Sequence, residues 1–288
     1  MRLGLAVLAL AGCAELGVVG DGTTVSAGRA SGGHLVEGTR IPDQGDGWGV
    51  RETWRTRGNR WGTDELVDLL IAVSRRMTLH THQRLYIADL SKPGGGPATQ
   101  WHASHQTGRD VDLLYYLRDR GGQPVEAMSM QVFDAKGNAT DGSGYTVDVP
   151  RTWLLVRELL SAPEADVQWI FLFDPLGKRV IEHAVAIHEP DALIAKARIA
   201  IKQPGKVAPH DDHMHVRIYC PKADVAYGCV DTGPMDLRLA HDAERAAGGV
   251  LAKHATTEVA TLPATTHSKI DVALIGRLVR AHAGRLPD

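Results

Sequence analysis

The chain lacks a large excess of charge of either sign. Its 288 residues carry a formal net charge of −2 at pH 7. Nucleic-acid binders and proteins of the membrane surface normally carry a large basic excess, so neither class is favoured and no nucleic-acid partner is expected. No apolar run reaches the roughly 18 residues that span a bilayer, which excludes a polytopic membrane protein. The length suits one large domain or two small ones.

Cysteine is scarce, with three residues and no CxxC pair. This excludes cysteine-based zinc sites and thioredoxin-type redox chemistry. Cys13 ends a segment of one arginine and a short apolar stretch, MRLGLAVLALAGC, which predicts a signal peptide over residues 1–12. Its last four residues resemble the bacterial lipobox, whose cysteine is lipidated and becomes the mature N-terminus. The alternative is a cleaved signal that only happens to contain a cysteine.

Export would place the other two cysteines in an oxidising compartment. Cys220 and Cys229 are nine positions apart, a step that a disulfide closes easily. We therefore predict this disulfide, with a pair of free buried thiols as the alternative. The predicted location is the periplasm, and the only predicted membrane contact is a lipid at Cys13 in the outer membrane.

Composition divides the remaining chain into three parts. Glycine, serine and threonine dominate the start, which predicts a lipid-attachment cysteine and a flexible tether over residues 13–39. One domain is predicted over 40–233. The Ala-rich stretch 234–288 is predicted to be a helical or partly disordered tail, with possible helices over Asp236–His254 and Ile270–Leu286.

Hydrophobic periodicity predicts helices and strands in alternation. Thr63 is expected to cap a helix through Met77, and Asp148 another that runs to Leu160. The segment HMHVRIY alternates strictly, as a half-buried strand does. Because the elements interleave without a βαβ rhythm, we predict an α+β fold with a central, mostly antiparallel sheet and flanking helices.

Several familiar catalytic motifs are missing. There is no H-E-x-x-H helix, no G-x-S-x-G nucleophile elbow and no H-x-E with P-C-x-x-C deaminase signature. The H-x-H of the chain is followed two residues later by Arg217, where metallo-β-lactamases carry aspartate.

Histidine is concentrated in two short stretches. Of 14 histidines, five fall in the two segments HASHQTGRDVD and PHDDHMH. In the first, Gly108 allows a sharp turn that would bring His105 and Asp112 together, with Asp110 as a competing ligand. In the second, His213 and His215 leave the same face of a strand, so that one can bind a metal and the other can accept a proton.

These stretches resemble the penicillin-insensitive murein endopeptidases. The motifs HASHQTGRDVDL and PHDDHMHVRIYCP carry the resemblance, with NRWG and LYIADLSKPGGG upstream, and it covers roughly residues 40 to 233. It implies a zinc metallopeptidase domain of hedgehog and DD-peptidase type. It also implies hydrolysis of D-alanyl–diaminopimelate cross-links between peptidoglycan stem peptides.

The resemblance also implies roles for individual residues. His105, Asp112 and His215 would bind Zn²⁺, with His102 as a less certain ligand, while His213 would be the catalytic base and His210 a further site residue. Some members of the family carry an additional Asp/His pair between the two clusters. The region from Asp148 to Trp153 has no histidine, which makes a second metal site doubtful.

Two alternatives stay open at this point. The same scaffold could act as a zinc D,D-carboxypeptidase or dipeptidase, because rim loops set specificity. A protein of another class, a non-catalytic zinc-binding envelope lipoprotein, is disfavoured because the proposed ligands and base are all present.

Overall fold

The computed structural model describes residues 22–97, 102–205 and 207–260. The predicted signal peptide, Cys13 and the second predicted tail helix lie outside these residues. The chain divides into two compact units, residues 1–241 and 242–288. Residues 242–260 of the second unit continue a helix that begins in the first.

Helices and short strands alternate along the described residues, as predicted for an α+β fold. The helices are α1 (Glu52–Arg57), α2 (Asp64–Met77), α3 (Val149–Leu160), α4 (Asp174–Ala186), α5 (Asp191–Ala200) and α6 (Met235–Ala260), with a 3₁₀ helix at Ala223–Tyr227. The strands are β1 (Val25–Arg29), β2 (Gly32–Val36), β3 (Thr39–Arg40), β4 (Gln44–Gly45), β5 (Trp48–Gly49), β6 (Trp61–Gly62), β7 (Leu85–Tyr86), β8 (Asp110–Leu113), β9 (Leu117–Arg118), β10 (Pro124–Val125), β11 (Thr146–Val147), β12 (Val167–Phe171), β13 (Ile201–Lys202) and β14 (Met214–Ile218).

The central sheet has four strands in the order β13-β12-β14-β8. Two of its pairings are antiparallel, β12 with β14 and β14 with β8, while β13 joins β12 in parallel. Four smaller sheets of two or three strands surround it in the described chain. The mixed α+β class is therefore confirmed, whereas the likeness to hedgehog-type domains stays a prediction.

Helix α3 is central to the packing of the domain. It contacts α2, α4 and α5, and its Trp153 side chain is fully buried among them. Both helix starts named from the sequence are confirmed: the Thr63 hydroxyl accepts the Leu66 amide, and the Asp148 carboxylate accepts the Arg151 amide. These caps satisfy amides that the helix itself leaves unpaired.

The predicted tether is ordered over its second half. Strands β1 and β2 form an antiparallel hairpin, and its Leu35 is buried. The Ser26 hydroxyl, also buried, accepts a 3.0 Å hydrogen bond from Arg109. Small residues are needed here because a β-carbon on Gly33 would collide with the Ala27 carbonyl. Tight packing and flexible linkers thus use the same small residues, so composition alone does not distinguish them.

Residues that follow the predicted domain end at 233 also pack into the core. Leu237 on the first turn of α6 is fully buried in the core, and His241 one turn later is buried as well. Helix α6 contains the predicted helix Asp236–His254. The predicted disulfide between Cys220 and Cys229 is present. Within the described residues, no helix has both the length and the apolar character needed to span a bilayer.

The buried carboxylate of Asp148 allows a test of how strongly the ion pairs at the start of α3 stabilise the fold. Its buried carboxylate caps α3 and lies 2.7 Å from the guanidinium Nε atoms of both Arg118 and Arg151. We expect Asp148→Ala to lower the free energy of unfolding by about 3–5 kcal/mol, because the buried Arg151 loses its anionic partner. Urea denaturation measures this. Glu182→Ala, which removes an exposed pair with Lys178, should change stability by less than about 1 kcal/mol; equal losses in the two variants would contradict the assignment.

Candidate metal centre and cleft

The register between β8 and β14 brings the two sequence motifs together. Asp112 lies opposite His215, and Asp110 lies opposite Arg217. Phe171 of β12 lies opposite His215 on the other side. Because alternate residues of a strand share a face, these side chains form two adjacent rows on the same side of the sheet.

His105 reaches the first row from a strained turn. Its backbone has a φ of +65°, a left-handed conformation that is uncommon for a histidine, and Gly108 follows with a φ of +73°. A β-carbon on Gly108 would lie 2.9 Å from the Thr63 backbone nitrogen, so both this contact and the positive φ favour glycine there. The Nδ1 atom of His105 lies 3.1 Å from the Leu90 carbonyl, and this contact directs Nε2 toward Asp112.

Three imidazole nitrogens surround one carboxylate oxygen at the base of the cleft. Asp112 Oδ1 lies 3.3 Å from His105 Nε2, 3.3 Å from His215 Nδ1 and 3.4 Å from His213 Nε2. Ligands of a tetrahedral zinc ion, each about 2.0–2.1 Å from the metal, are about 3.3–3.4 Å apart. The spacing therefore suits a single small cation.

The hydrogen bonding of these atoms supports the same fit. His105 Nε2 and both oxygens of Asp112 are buried, yet they have no hydrogen-bond partner in the described chain. A buried carboxylate without a partner costs several kcal/mol, so a native fold normally satisfies it. A cation held by His105, Asp112 and His215 would satisfy it.

The structure also distinguishes the two competing aspartates. Asp110 Oδ1 lies 2.7 Å from His215 Nε2 and accepts a 2.7 Å hydrogen bond from Arg217 Nε. Its other oxygen accepts the His105 amide at 3.4 Å. Asp110 is thus fully engaged by the protein and orients His215 so that Nδ1 faces the centre, which leaves Asp112 as the available carboxylate.

Burial and the neighbouring charged groups set the protonation states of His215 and Asp112. Burial lowers the pKa of His215 to about 4, so this imidazole is neutral near pH 7, as a metal ligand must be. Burial raises the pKa of Asp112, but His105 and His213 outweigh that effect and hold it well below the ordinary value. Asp112 is therefore ionised throughout the neutral range.

His213 lies at the edge of the centre. Its Nδ1 atom lies 2.5 Å from Asp212 Oδ1, which directs Nε2 toward Asp112. Burial lowers the pKa of His213, but Asp112 and Asp212 outweigh burial and raise it to about 10. A cation bound to Asp112 would offset that carboxylate's charge and so reduce the largest of the effects that raise this pKa.

His210 lies beside His213, but its pKa is shifted in the opposite direction. Its ring centroid is 5.1 Å from that of His213, and its Nδ1 atom is buried without a partner in the described chain. Burial lowers its pKa to about 3, helped by His215 and His213, so the imidazole is neutral. Its backbone is fixed, because the Tyr115 hydroxyl donates a 2.8 Å hydrogen bond to the His210 carbonyl.

His102 lies next to the centre, held by residues that the sequence did not single out. Its Nε2 atom is 2.9 Å from Asp89 Oδ2, and its Nδ1 atom is 3.7 Å from Asp112 Oδ2. Asp89 is buried and also accepts a 2.7 Å hydrogen bond from Arg57. The motif IADL gave no signal for Asp89, since its partners come from distant parts of the chain.

All five clustered histidines and Asp112 line one cleft of about 820 Å³. Its walls include Trp54 and Arg57 from α1, Met130 from the loop before β11, and the segment 207–212. Two separate sets of possible metal donors lie within it, His102 with His105 and Asp112, and His210 with His213 and His215. The structure thus gathers every site residue named from the two sequence motifs.

Comparisons with known proteins point to one family. A family model described as penicillin-insensitive murein endopeptidase matches residues 26–244. Proteins of that name are similar to this chain: one from Klebsiella pneumoniae subsp. pneumoniae is 27% identical over 216 residues, 74% of this chain and 72% of its own. One from Escherichia coli O6:K15:H31 is 27% identical over 200 residues, 69% of this chain and 68% of its own. One from Pectobacterium atrosepticum is 28% identical over 208 residues, 69% of this chain and 66% of its own.

The geometry predicts how zinc binding responds to substitution. The purified chain should bind one Zn²⁺, and His215→Ala should lose it because a buried ligand is removed. His213→Ala is the matched variant two residues away and should still bind one ion. Elemental analysis after dialysis measures the stoichiometry. Two ions per wild-type chain, or loss of zinc in both variants, would contradict a single centre of His105, Asp112 and His215.

Proposed function

The chain belongs to the penicillin-insensitive murein endopeptidase family, and from that premise we propose that it is a zinc-dependent peptidase that hydrolyses D-alanyl–diaminopimelate cross-links in peptidoglycan. The observation that carries the proposal is the buried, unsatisfied Asp112 carboxylate with three imidazole nitrogens at 3.3–3.4 Å. A donor set of two imidazoles and one carboxylate is one that zinc peptidases use.

His105, Asp112 and His215 would hold the metal in this proposal. Zn²⁺ in such a site lowers the pKa of water and polarises the scissile carbonyl. Asp112 is the single anionic donor, so the occupied centre keeps a net positive charge that favours an oxyanion. Asp110 and the Leu90 carbonyl hold the two imidazoles by their other nitrogens, which fixes the tautomer and the ring orientation of each.

His213 is the proposed general base. Its Nε2 atom faces the centre, while Asp212 holds Nδ1 and stabilises the protonated ring. A proton taken from water by Nε2 can then be passed to the leaving amine. His210, neutral and adjacent, is placed to donate a hydrogen bond to substrate, and His102 is assigned to positioning Asp112 or to a weak further contact with the metal.

This chemistry accounts for insensitivity to penicillin. β-Lactams inactivate serine peptidases by acylating the nucleophilic serine. Hydrolysis carried by His213 and the metal donors needs no acyl-enzyme, so a β-lactam has no nucleophile to block.

Digestion of purified sacculi tests the activity. The wild-type chain should convert cross-linked dimers to monomers, and ampicillin should not slow it. His213→Ala should lose about 10²- to 10⁴-fold of turnover while keeping zinc, because the proton acceptor is gone. Chromatography of muropeptides measures both. Dimers that persist while free D-alanine appears would instead indicate a carboxypeptidase, and a fully active His213→Ala would show that His213 is not the base.

We further propose that the protein acts in the periplasm, anchored by a lipid at Cys13. The support is the lipobox-like sequence together with a cell-wall substrate. In a Gram-negative host, the mature chain should be found in the outer-membrane fraction, and Cys13→Ala should shift it to the soluble periplasm or leave it unprocessed. A wild-type chain that is soluble, with an N-terminal peptide of unmodified mass, would contradict the anchor.

A further inference from the structure

Arg217 is a cation in the cleft that the proposed mechanism does not use. It lies on β14 two residues after His215, on the same face, and it lines the same cleft. Its Nε donates to Asp110, and its guanidinium stacks over Phe171, with the central carbon 5.4 Å from the ring centroid. The group is therefore held in place before any substrate arrives.

The outer edge of this guanidinium is free to bind a ligand. Within the described chain its hydrogen bond comes from Nε, and neither Nη1 nor Nη2 has a partner among those residues. The side chain is only 14% exposed. A planar, partly desolvated guanidinium whose Nη edge is unpaired is suited to a carboxylate.

The proposed substrate offers a carboxylate close to the reacting bond, and this step rests on the proposed function. Each α-carbon of diaminopimelate carries one amine and one carboxylate. When one amine is acylated by D-alanine, the carboxylate on the same carbon stays free. By standard bond lengths, its carbon lies within about 4 Å of the scissile carbonyl carbon.

The spacing on the sheet matches this requirement. His215 is one of the proposed metal donors, and residues two apart on a strand are separated by about 6.6–6.8 Å. A carbonyl at the centre therefore has its adjacent carboxylate within reach of the second row, where Arg217 lies. Arg57 is the other arginine that lines the cleft in the described chain, but it lies on α1, is 35% exposed and is bound to Asp89. Because Arg57 is more hydrated, it is the weaker candidate for binding the substrate carboxylate.

We propose that Arg217 binds the free carboxylate on the amine side of the scissile bond, and that it thereby selects cross-links whose leaving group carries this charge. Asp110 connects Arg217 to His215, so Arg217 also has a positioning effect on the metal ligand. The test must separate charge recognition from that structural effect.

The test uses two synthetic cross-linked dimers that differ only in amidation of this carboxylate. The wild-type zinc enzyme should favour the free carboxylate by about 10- to 100-fold in kcat/KM, the range expected of a charge-assisted hydrogen bond. In Arg217→Gln the preference should fall below about threefold. A purely structural role would lower both rates and leave their ratio unchanged.

Two matched variants complete the design. Asp110→Asn weakens the hold on His215 but keeps the Arg217 guanidinium, so both rates should fall while the preference persists. Arg57→Gln removes the other cation of the cleft and should also keep the preference. A preference that survives in Arg217→Gln, or that disappears in Arg57→Gln, overturns the proposal. Equal cleavage of both dimers by the wild type contradicts this inference alone, whereas cleavage of neither contradicts the proposed function as well.

Discussion

The pairing of β8 with β14 is the constraint on which the site depends. It sets Asp112 against His215 and Asp110 against Arg217. Because strand side chains alternate, a slip of one residue would turn the pair on one strand, either Asp110 and Asp112 or His215 and Arg217, toward the apolar face. Burial of Val111 and Val216 on that face opposes the slip, since the valine of the shifted strand would have to move into the polar cleft. The hydrophobic core thereby fixes the geometry of the polar centre.

The two aspartates of β8 show how neighbouring carboxylates acquire different roles. Both are fully buried, and burial raises the pKa of a carboxyl group. Asp110 is stabilised as an anion by three contacts, which come from Arg217 Nε, the His215 ring and the His105 backbone amide. Among the described residues, Asp112 faces the imidazoles of His105, His213 and His215, and neither of its oxygens has a hydrogen-bond partner there. A cation at Asp112 would complete the structure as well as supply its chemistry.

The parts of the site that were predictable are those encoded locally. An H-x-H on an alternating strand places two imidazoles on one face whatever the rest of the fold does, and Gly108 marks the turn that carries His105. Asp89 could not be found in this way, because its partners His102 and Arg57 reach it from separate segments. The composition of residues 25–36 did not predict that they form an ordered hairpin, and the reason is different. A hairpin that packs against Arg109 uses the same small residues as a flexible linker.

Arg217 is proposed to bind two carboxylates at different edges of one rigid group, and this makes its role specific to arginine. Nε donates to Asp110, which in turn orients His215, while the residue lines the cleft and its Nη groups have no partner among the described residues. A lysine at this position would carry the same charge on a single ammonium. It would lack the planar guanidinium, whose separate edges can bind two carboxylates at once. Binding of an anionic group at the Nη edge is therefore coupled to the orientation of a metal ligand through two hydrogen bonds. Substrate charge and the geometry of the reacting centre are linked by one side chain, on a strand whose register the core has already fixed.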